Sequence, residues 1–263
     1  MNIQAYMGEK NEKPLDNIVT NGGFFGIFRT VGCVGDSLSS GEFESVNEKG
    51  EKSYHDMFDY SWGQYIAREA GCKIYNFSKG GMTAKAYCEE FAEEKGFWDD
   101  DKACQAYIIA LGVNDLFGMN QEIGTVQDIC MEDYTKNKDT FAGWYGRIIQ
   151  RLKKISPDAR FFFMTMMNEG RDDEREAQRK AHAELLRNMA EVFKNSYVID
   201  FYRYAPVYDD EFKDRFYLHT HLNPMGYMLT AKMVMSYVDY IIRHNYNDFK
   251  KTGFIGTDIE TGI

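Results

Sequence analysis

The sequence predicts an α/β fold built on a mainly parallel sheet with helices on both faces. Three observations lead there. Short apolar runs alternate with longer segments of helical periodicity, the pattern of strands joined by crossover helices. One run, Ala106 to Leu111 (Ala-Tyr-Ile-Ile-Ala-Leu), is continuously apolar, as a strand covered on both faces must be. After Asn223-Pro224, apolar residues recur at Tyr227, Ala231, Val234, Val238, Ile241 and Ile242, a helical stripe suited to lie on a sheet.

Residues 1–29 have no periodicity, broken by Gly22, Gly23 and Gly26, and are expected to form an N-terminal extension packed on a domain of residues 30–263. Five strands are expected: Thr30 to Val34, Lys73 to Phe77, Ala106 to Leu111, Arg160 to Met166, and Tyr197 to Asp200. Between them, Met57 to Ala70 reads as a helix stopped by Gly71. Asp139 to Ile155 is a helix ending before Ser156-Pro157, and Asp172 to Lys194 is a long helix with Leu185, Met189, Val192 and Phe193 at helical spacing. In the closing helix Asn223 can cap and Pro224 suits the first turn. No internal repeat or low-complexity tract interrupts the series.

Composition narrows the function classes. The chain has 263 residues, 44% hydrophobic and 27% charged, which excludes disordered, collagenous and disulfide-scaffold proteins. A chain of this length buries roughly 75% of its unfolded surface, enough for one sizeable core. The 31 Lys and Arg against 41 Asp and Glu give a net charge of −10, with no basic block, so nucleic acid is not expected as a partner. No run approaches the ~18 apolar residues of a membrane span. Met1 to Lys13 is polar and lacks the apolar stretch of a signal peptide. The five cysteines, Cys33, Cys72, Cys88, Cys104 and Cys130, are odd in number and form no C-x-x-C pair. Free thiols, a cytoplasmic location and no structural zinc are the expectations.

In parallel α/β sheets ligands sit outside the carboxyl ends of the strands. After the first strand comes Gly35-Asp36-Ser37-Leu38, and after the second Ser78-Lys79-Gly80-Gly81-Met82. After the third comes Gly112-Val113-Asn114-Asp115, and before the last helix His219-Thr220-His221-Leu222-Asn223. These are parts for acyl transfer: a hydroxyl nucleophile in Ser37, a base in His221, a backbone donor at the glycine turn, and a neutral amide donor in Asn114.

Four such blocks in this order, spanning Gly35 to Tyr227, resemble the GDSL, or SGNH, hydrolase family. The resemblance implies a flavodoxin-like three-layer α/β/α sandwich around a central five-stranded sheet. It implies Ser37 as nucleophile, His221 as general base, and an oxyanion hole made by the Ser37 and Gly81 N–H groups with the Asn114 side chain. It implies hydrolysis of a carboxylic ester, including deacetylation of carbohydrates, with no cofactor and no metal.

One departure stands out. The family places Asp three residues before the histidine, and here that position is Leu218. Three substitutes are open: a backbone carbonyl accepting the Nδ1 proton of His221, a displaced carboxylate such as Asp214, or a weak enzyme. The dyad with a carbonyl is the preferred expectation. The rival class is a catalytically weak or inactive module binding an acylated small molecule or a sugar.

Plainer roles are weighed beside these. His219 and His221 share a face if the segment is extended, but two histidines without a third ligand do not make a metal site. His219 is expected to line a pocket or face solvent. Asp36 and Asp115 are expected to accept backbone N–H bonds and hold their loops rather than act as an acid/base pair. Arg171 to Arg179 reads as a solvated helix face. Trp62, Trp98, Trp144 and Tyr202 to Tyr208 are candidate pocket walls. The expected partner is a small ester, with neither nucleic acid nor membrane; oligomeric state is left open.

Overall fold

The computed structural model describes residues 3–259. Its centre is a five-stranded sheet: β1 (Thr30–Gly35), β4 (Lys73–Ser78), β5 (Ala106–Ala110), β6 (Arg160–Met164) and β7 (Ser196–Ile199). The order is β4-β1-β5-β6-β7, and every neighbouring pair is parallel. Each strand expected from the apolar runs is present, with ends moved by no more than about two residues, the usual uncertainty of boundaries.

The sheet is covered on both faces because its strands are apolar at consecutive positions and successive side chains point to opposite faces. Tyr107, Ile109, Phe161 and Phe163 point to one face, among Tyr145, Ile148 and Leu186. These belong to α3 (Phe141–Ile155) and α4 (Glu174–Val192). Ala106, Ile108, Phe162 and Met164 point to the other, among Trp62, Val234 and Val238. These come from α2 (Trp62–Ala70) and α6 (Pro224–His244). In α6 the whole predicted stripe is buried, Asn223 caps the helix by accepting the Gly226 N–H at 2.9 Å, and Pro224 occupies the first turn. The three-layer sandwich therefore follows from the pattern that predicted it.

Ahead of β1, Phe25 and Phe28 are buried in the same core as α6. Glu12 accepts two hydrogen bonds from Arg243 at 2.7 and 2.6 Å, and Asp239 accepts the Phe24 N–H at 2.7 Å.

Two features depart from expectation. The helix predicted from Met57 begins later, because Ser61 caps α2 by accepting the Gln64 N–H and the preceding Phe58–Tyr60 is a separate single turn. An antiparallel hairpin, β2 (Glu42–Val46) with β3 (Lys52–Asp56), stands between the first functional block and α2 and was not anticipated. It is largely exposed and charged, so it lacks the apolar alternation that marks a strand. A second short hairpin pairs β8 (Tyr217–Leu218) with β9 (His221–Leu222).

Gly35 ends β1 where the chain turns into α1 (Ser37–Ser40). A Cβ placed there would lie 2.6 Å from Ser39 Cβ and 3.0 Å from the Ala110 carbonyl oxygen. Neither can retreat, since one belongs to the turn of α1 and the other to β5. Gly35→Ala is expected to lower stability by about 1–3 kcal/mol, read by urea unfolding; an unchanged midpoint would show that the turn tolerates a methyl group.

Candidate active site

Counted among the five sheet strands, the order is 2-1-3-4-5, which puts the switch point between β1 and β5. Ser37 follows β1 and Asn114 follows β5, so both arise at that crevice. The Gly81 turn follows β4 on the other flank of β1.

Ser37 is the first residue of the short helix α1. Asp36 caps that helix, its Oδ1 accepting the Leu38 N–H at 3.1 Å. The Ser37 N–H is thus a first-turn donor without an intrahelical acceptor. Gly81 has φ +72°, a conformation that favours glycine, and it is exposed. The side chain of Asn114 donates from Nδ2 to the Met82 carbonyl oxygen at 3.1 Å and lies 3.5 Å from Asp36 Oδ2. Lys79 N–H donates to the Gly35 carbonyl at 3.3 Å. Bonds between neighbouring loops thus tie the first three blocks together.

Two buried carboxyls sit beneath them. Asp115 Oδ1 accepts the Ala84 N–H at 2.7 Å, while its Oδ2 is buried without a partner. Burial pushes the Asp115 carboxyl up to about 7, with the Asp36 charge adding to it, and burial raises Asp36 to about 6. Each carboxyl accepts a backbone N–H and holds its loop, as expected.

His221 lies on β9, which packs against α1. Its ring is flanked on both sides. Nε2 is 3.2 Å from Glu42 Oε1, and Nδ1 is 3.2 Å from Thr220 Oγ1 and 3.6 Å from Glu44 Oε2. The Tyr54 ring meets the imidazole edge-on, 5.8 Å between centroids. Among the described residues no hydrogen bond joins His221 to Ser37, and Nε2 faces Glu42 Oε1 instead. Glu42 also rests on the glycine turn: a Cβ at Gly80 would lie 2.1 Å from Glu42 Oε2. Burial raises the Glu42 carboxyl above its ordinary range, an effect opposed by His221.

Several expectations are corrected here. At Nδ1 the structure places a hydroxyl and a carboxylate, not the anticipated backbone carbonyl. Asp214 is exposed on α5 (Asp210–Phe216) and is not among the groups on the ring. His219 is exposed with φ +60° in the turn of the β8–β9 hairpin, so the segment is not extended there and the two histidines do not share a face. Within the stretch read as a solvated face, Glu176 and Arg179 are buried, and Arg179 pairs with Glu169 at 2.5 Å.

Sequence reasoning missed Glu42, Glu44 and His182. The two glutamates are spaced i, i+2, which puts both on one side of a strand; only recognition of the hairpin would have flagged them. His182 is fully buried under Gly112, its Nε2 3.0 Å from the Leu111 carbonyl oxygen, and burial lowers it to about 4. It supports the turn that carries Asn114.

Beside the site opens a cavity of about 440 Å³. Leu38, Val113 and Thr220, each next to a candidate site residue, line one side; Arg171, Arg175 and Lys213 line another. Tyr208, from the aromatic stretch singled out in the sequence, contributes to its wall, and Trp62, though buried, lines a smaller pocket with Leu38 and Ser39 of α1. Among the described residues no helix is long and apolar enough to cross a membrane.

The profile of the GDSL-like Lipase/Acylhydrolase family matches residues 33–229. No curated protein matches the chain. Among solved structures, a family two carbohydrate esterase from Clostridium thermocellum in complex with cellohexaose is similar, with TM-score 0.57 and 15% identity over 81% of this chain and 64% of that one. A carbohydrate esterase family 2 enzyme with a carbohydrate binding domain, from Corynascus thermopiles, gives 0.53 and 15% over 79% and 64%. An alpha/beta hydrolase enzyme from the metagenome of Lake Arreo, Spain, gives 0.51 and 15% over 81% and 96%. The chain thus spans just under two thirds of the two carbohydrate esterases and nearly all of the third protein. At these identities the likeness is one of fold.

The Asp115 carboxyl carries a pH signature. Its folded pKa, about 7, exceeds the ordinary 3.8, so its contribution to stability is full below about 4 and is lost as pH rises through about 7. Asp115→Asn, which keeps the acceptor for Ala84, is expected to gain on the wild type between pH 4.5 and 8, by a few kcal/mol at about 1.4 kcal/mol per pH unit. Parallel urea-unfolding free energies across that range would reveal an ordinary surface-like carboxyl instead.

Proposed function

The chain belongs to the GDSL-like Lipase/Acylhydrolase family, and from that premise we propose that it hydrolyses carboxylic esters through an acyl-enzyme on Ser37. The observation that carries the proposal is the convergence of Ser37, the Gly81 turn and Asn114 at the ends of three adjacent strands, with the His221 strand against α1.

In the proposed cycle the imidazole leaves Glu42 and turns Nε2 to Ser37. Ser37 Oγ attacks the ester carbonyl carbon as its proton passes to Nε2. The Ser37 and Gly81 N–H groups and the Asn114 amide receive the oxyanion, each donor lowering the barrier by ~2.7–4 kcal/mol. The C–O bond to the alcohol breaks as Nε2 returns the proton to the leaving oxygen. Water then attacks the acyl-enzyme by the same route, giving the acid and free Ser37. No step uses a metal or an organic cofactor.

Short acyl esters of carbohydrates are the proposed substrate class. Two similar structures bear the name carbohydrate esterase, and the adjoining cavity joins an apolar strip of Leu38 and Val113 to a polar wall, which suits a small acyl group on a polar alcohol.

Ser37→Ala is expected to lower kcat on an acetyl ester by about 10⁴-fold or more and to abolish labelling by a fluorophosphonate. A wild-type serine that resists the label would favour the rival, a binding module. A panel of esters varying in acyl length and alcohol should show fastest turnover for acetylated sugars; a preference for long acyl chains would overturn the substrate class.

A further inference from the structure

We propose that Glu44, acting through the Thr220 hydroxyl, is the positioning carboxylate that holds the Nδ1 proton of His221 in place of the acid missing at Leu218. The inference rests on His221 being the base of the proposed reaction, and it deepens that reading.

The hairpin that carries Glu44 is largely exposed, yet the Glu44 side chain is fully buried. A buried carboxylate without partners is costly, and this one has several. Lys52 pairs with Oε1 at 2.7 Å. Thr220 donates both its N–H, at 3.2 Å, and its hydroxyl to Oε2. These bonds, Lys52 first and Thr220 next, hold the carboxyl down at about 2, so it is an anion at any working pH.

The direction of the chain of bonds follows from counting protons. A hydroxyl has one proton, and a carboxylate only accepts. Thr220 therefore spends its proton on Glu44, and its oxygen is left to accept from the ring. The atom it faces is His221 Nδ1, at 3.2 Å. That contact requires a proton on Nδ1, and Nε2, which faces the Glu42 carboxyl at 3.2 Å, becomes the nitrogen that takes a proton from Ser37 once it has left Glu42 without one. Glu44 Oε2, 3.6 Å from Nδ1, also stabilises the positive ring that forms when Nε2 is protonated. The usual acid would come from three residues upstream, but Leu218 is apolar and 44% exposed. Here the carboxylate arrives from a strand that follows the nucleophile.

Other charged groups around the ring do not do this work. Glu42 faces Nε2 and has to yield it to Ser37. Asp56 is engaged by the Ser40 hydroxyl at 2.8 Å, and Lys52 by Glu44. Tyr54 contributes an aromatic ring rather than a charge.

The test pairs a tautomer measurement with kinetics. Imidazole-15N NMR of the full chain, with His221 assigned by loss of its signals in His221→Gln, follows the ring to high pH. In the wild type Nε2 should lose its proton and Nδ1 keep it. In Thr220→Val and Glu44→Gln the neutral ring should shift toward the Nε2–H form, and Thr220→Ser should restore the wild-type form. On an acetyl ester kcat should fall by about 10²–10⁴-fold in the first two variants, with KM within about threefold, and Thr220→Ser should recover it. Thr220 is exposed, so its variants keep the test valid if Glu44→Gln fails to fold. A wild-type ring that sheds its Nδ1 proton, or a Thr220→Val ring indistinguishable from wild type, overturns the proposal and leaves the esterase reading intact. A wild type that holds Nδ1–H yet hydrolyses no ester supports the positioning role and overturns the esterase reading instead.

Discussion

Backbone hydrogen bonding of β1 to β4 on one side and to β5 on the other fixes where the candidate site can be. Parallel strands end on the same edge, so three adjacent ones bring their following turns into one place. Two of those turns flank the strand-order switch, where helices on opposite faces leave a crevice. The loops then need only short bonds to lock together, and Asn114 to Met82 and Lys79 to Gly35 supply them. The apolar strands keep the sheet rigid, and the polar turns carry the candidate site residues on its rim.

That rim is also where the fold accepts unfavourable electrostatics. Asp36 and Asp115 are buried near one another, and their carboxyls are raised by burial. His182 is buried and lowered. In the core such groups would be errors. Here each bonds to a backbone group of a turn that must adopt one shape, so charge is sacrificed for geometry. Placing Ser37 at the start of a capped turn, with Gly35 too crowded for a side chain, is part of the same arrangement.

His221 is held differently. Its strand belongs to a small hairpin rather than to the sheet, and its surroundings come mainly from the β2–β3 hairpin. Phe43 packs edge-on against Tyr227, 5.3 Å between centroids, and the Tyr227 hydroxyl donates to the Glu42 carbonyl at 2.7 Å. One face of β2 is thereby fixed to α6, and Glu42 and Glu44 flank the imidazole. The two carboxylates stand differently to the ring: Glu42 lies directly at Nε2, and Glu44 sits beyond the Thr220 hydroxyl at Nδ1.

The five sheet strands, the long helices and the cap of α6 were legible in the sequence because each is a local pattern: a continuous apolar run, a 3.6-residue stripe, an Asn-Pro start. Ser37, Gly81, Asn114 and His221 stood out as candidates for a related reason, since each stands in a short block beside a predicted strand or helix start. The partners of His221 were not. Glu44 and Thr220 lie 176 residues apart and meet only after both hairpins have docked on the sandwich. Neither hairpin has an apolar face of its own to announce it. The sequence by itself thus determined the layers, the strand edge and the residue types at the rim, because short-range periodicity and burial dictate them. Which carboxylate reaches which ring nitrogen was decided by tertiary structure alone, because that depends on side-chain contacts between segments remote in the chain.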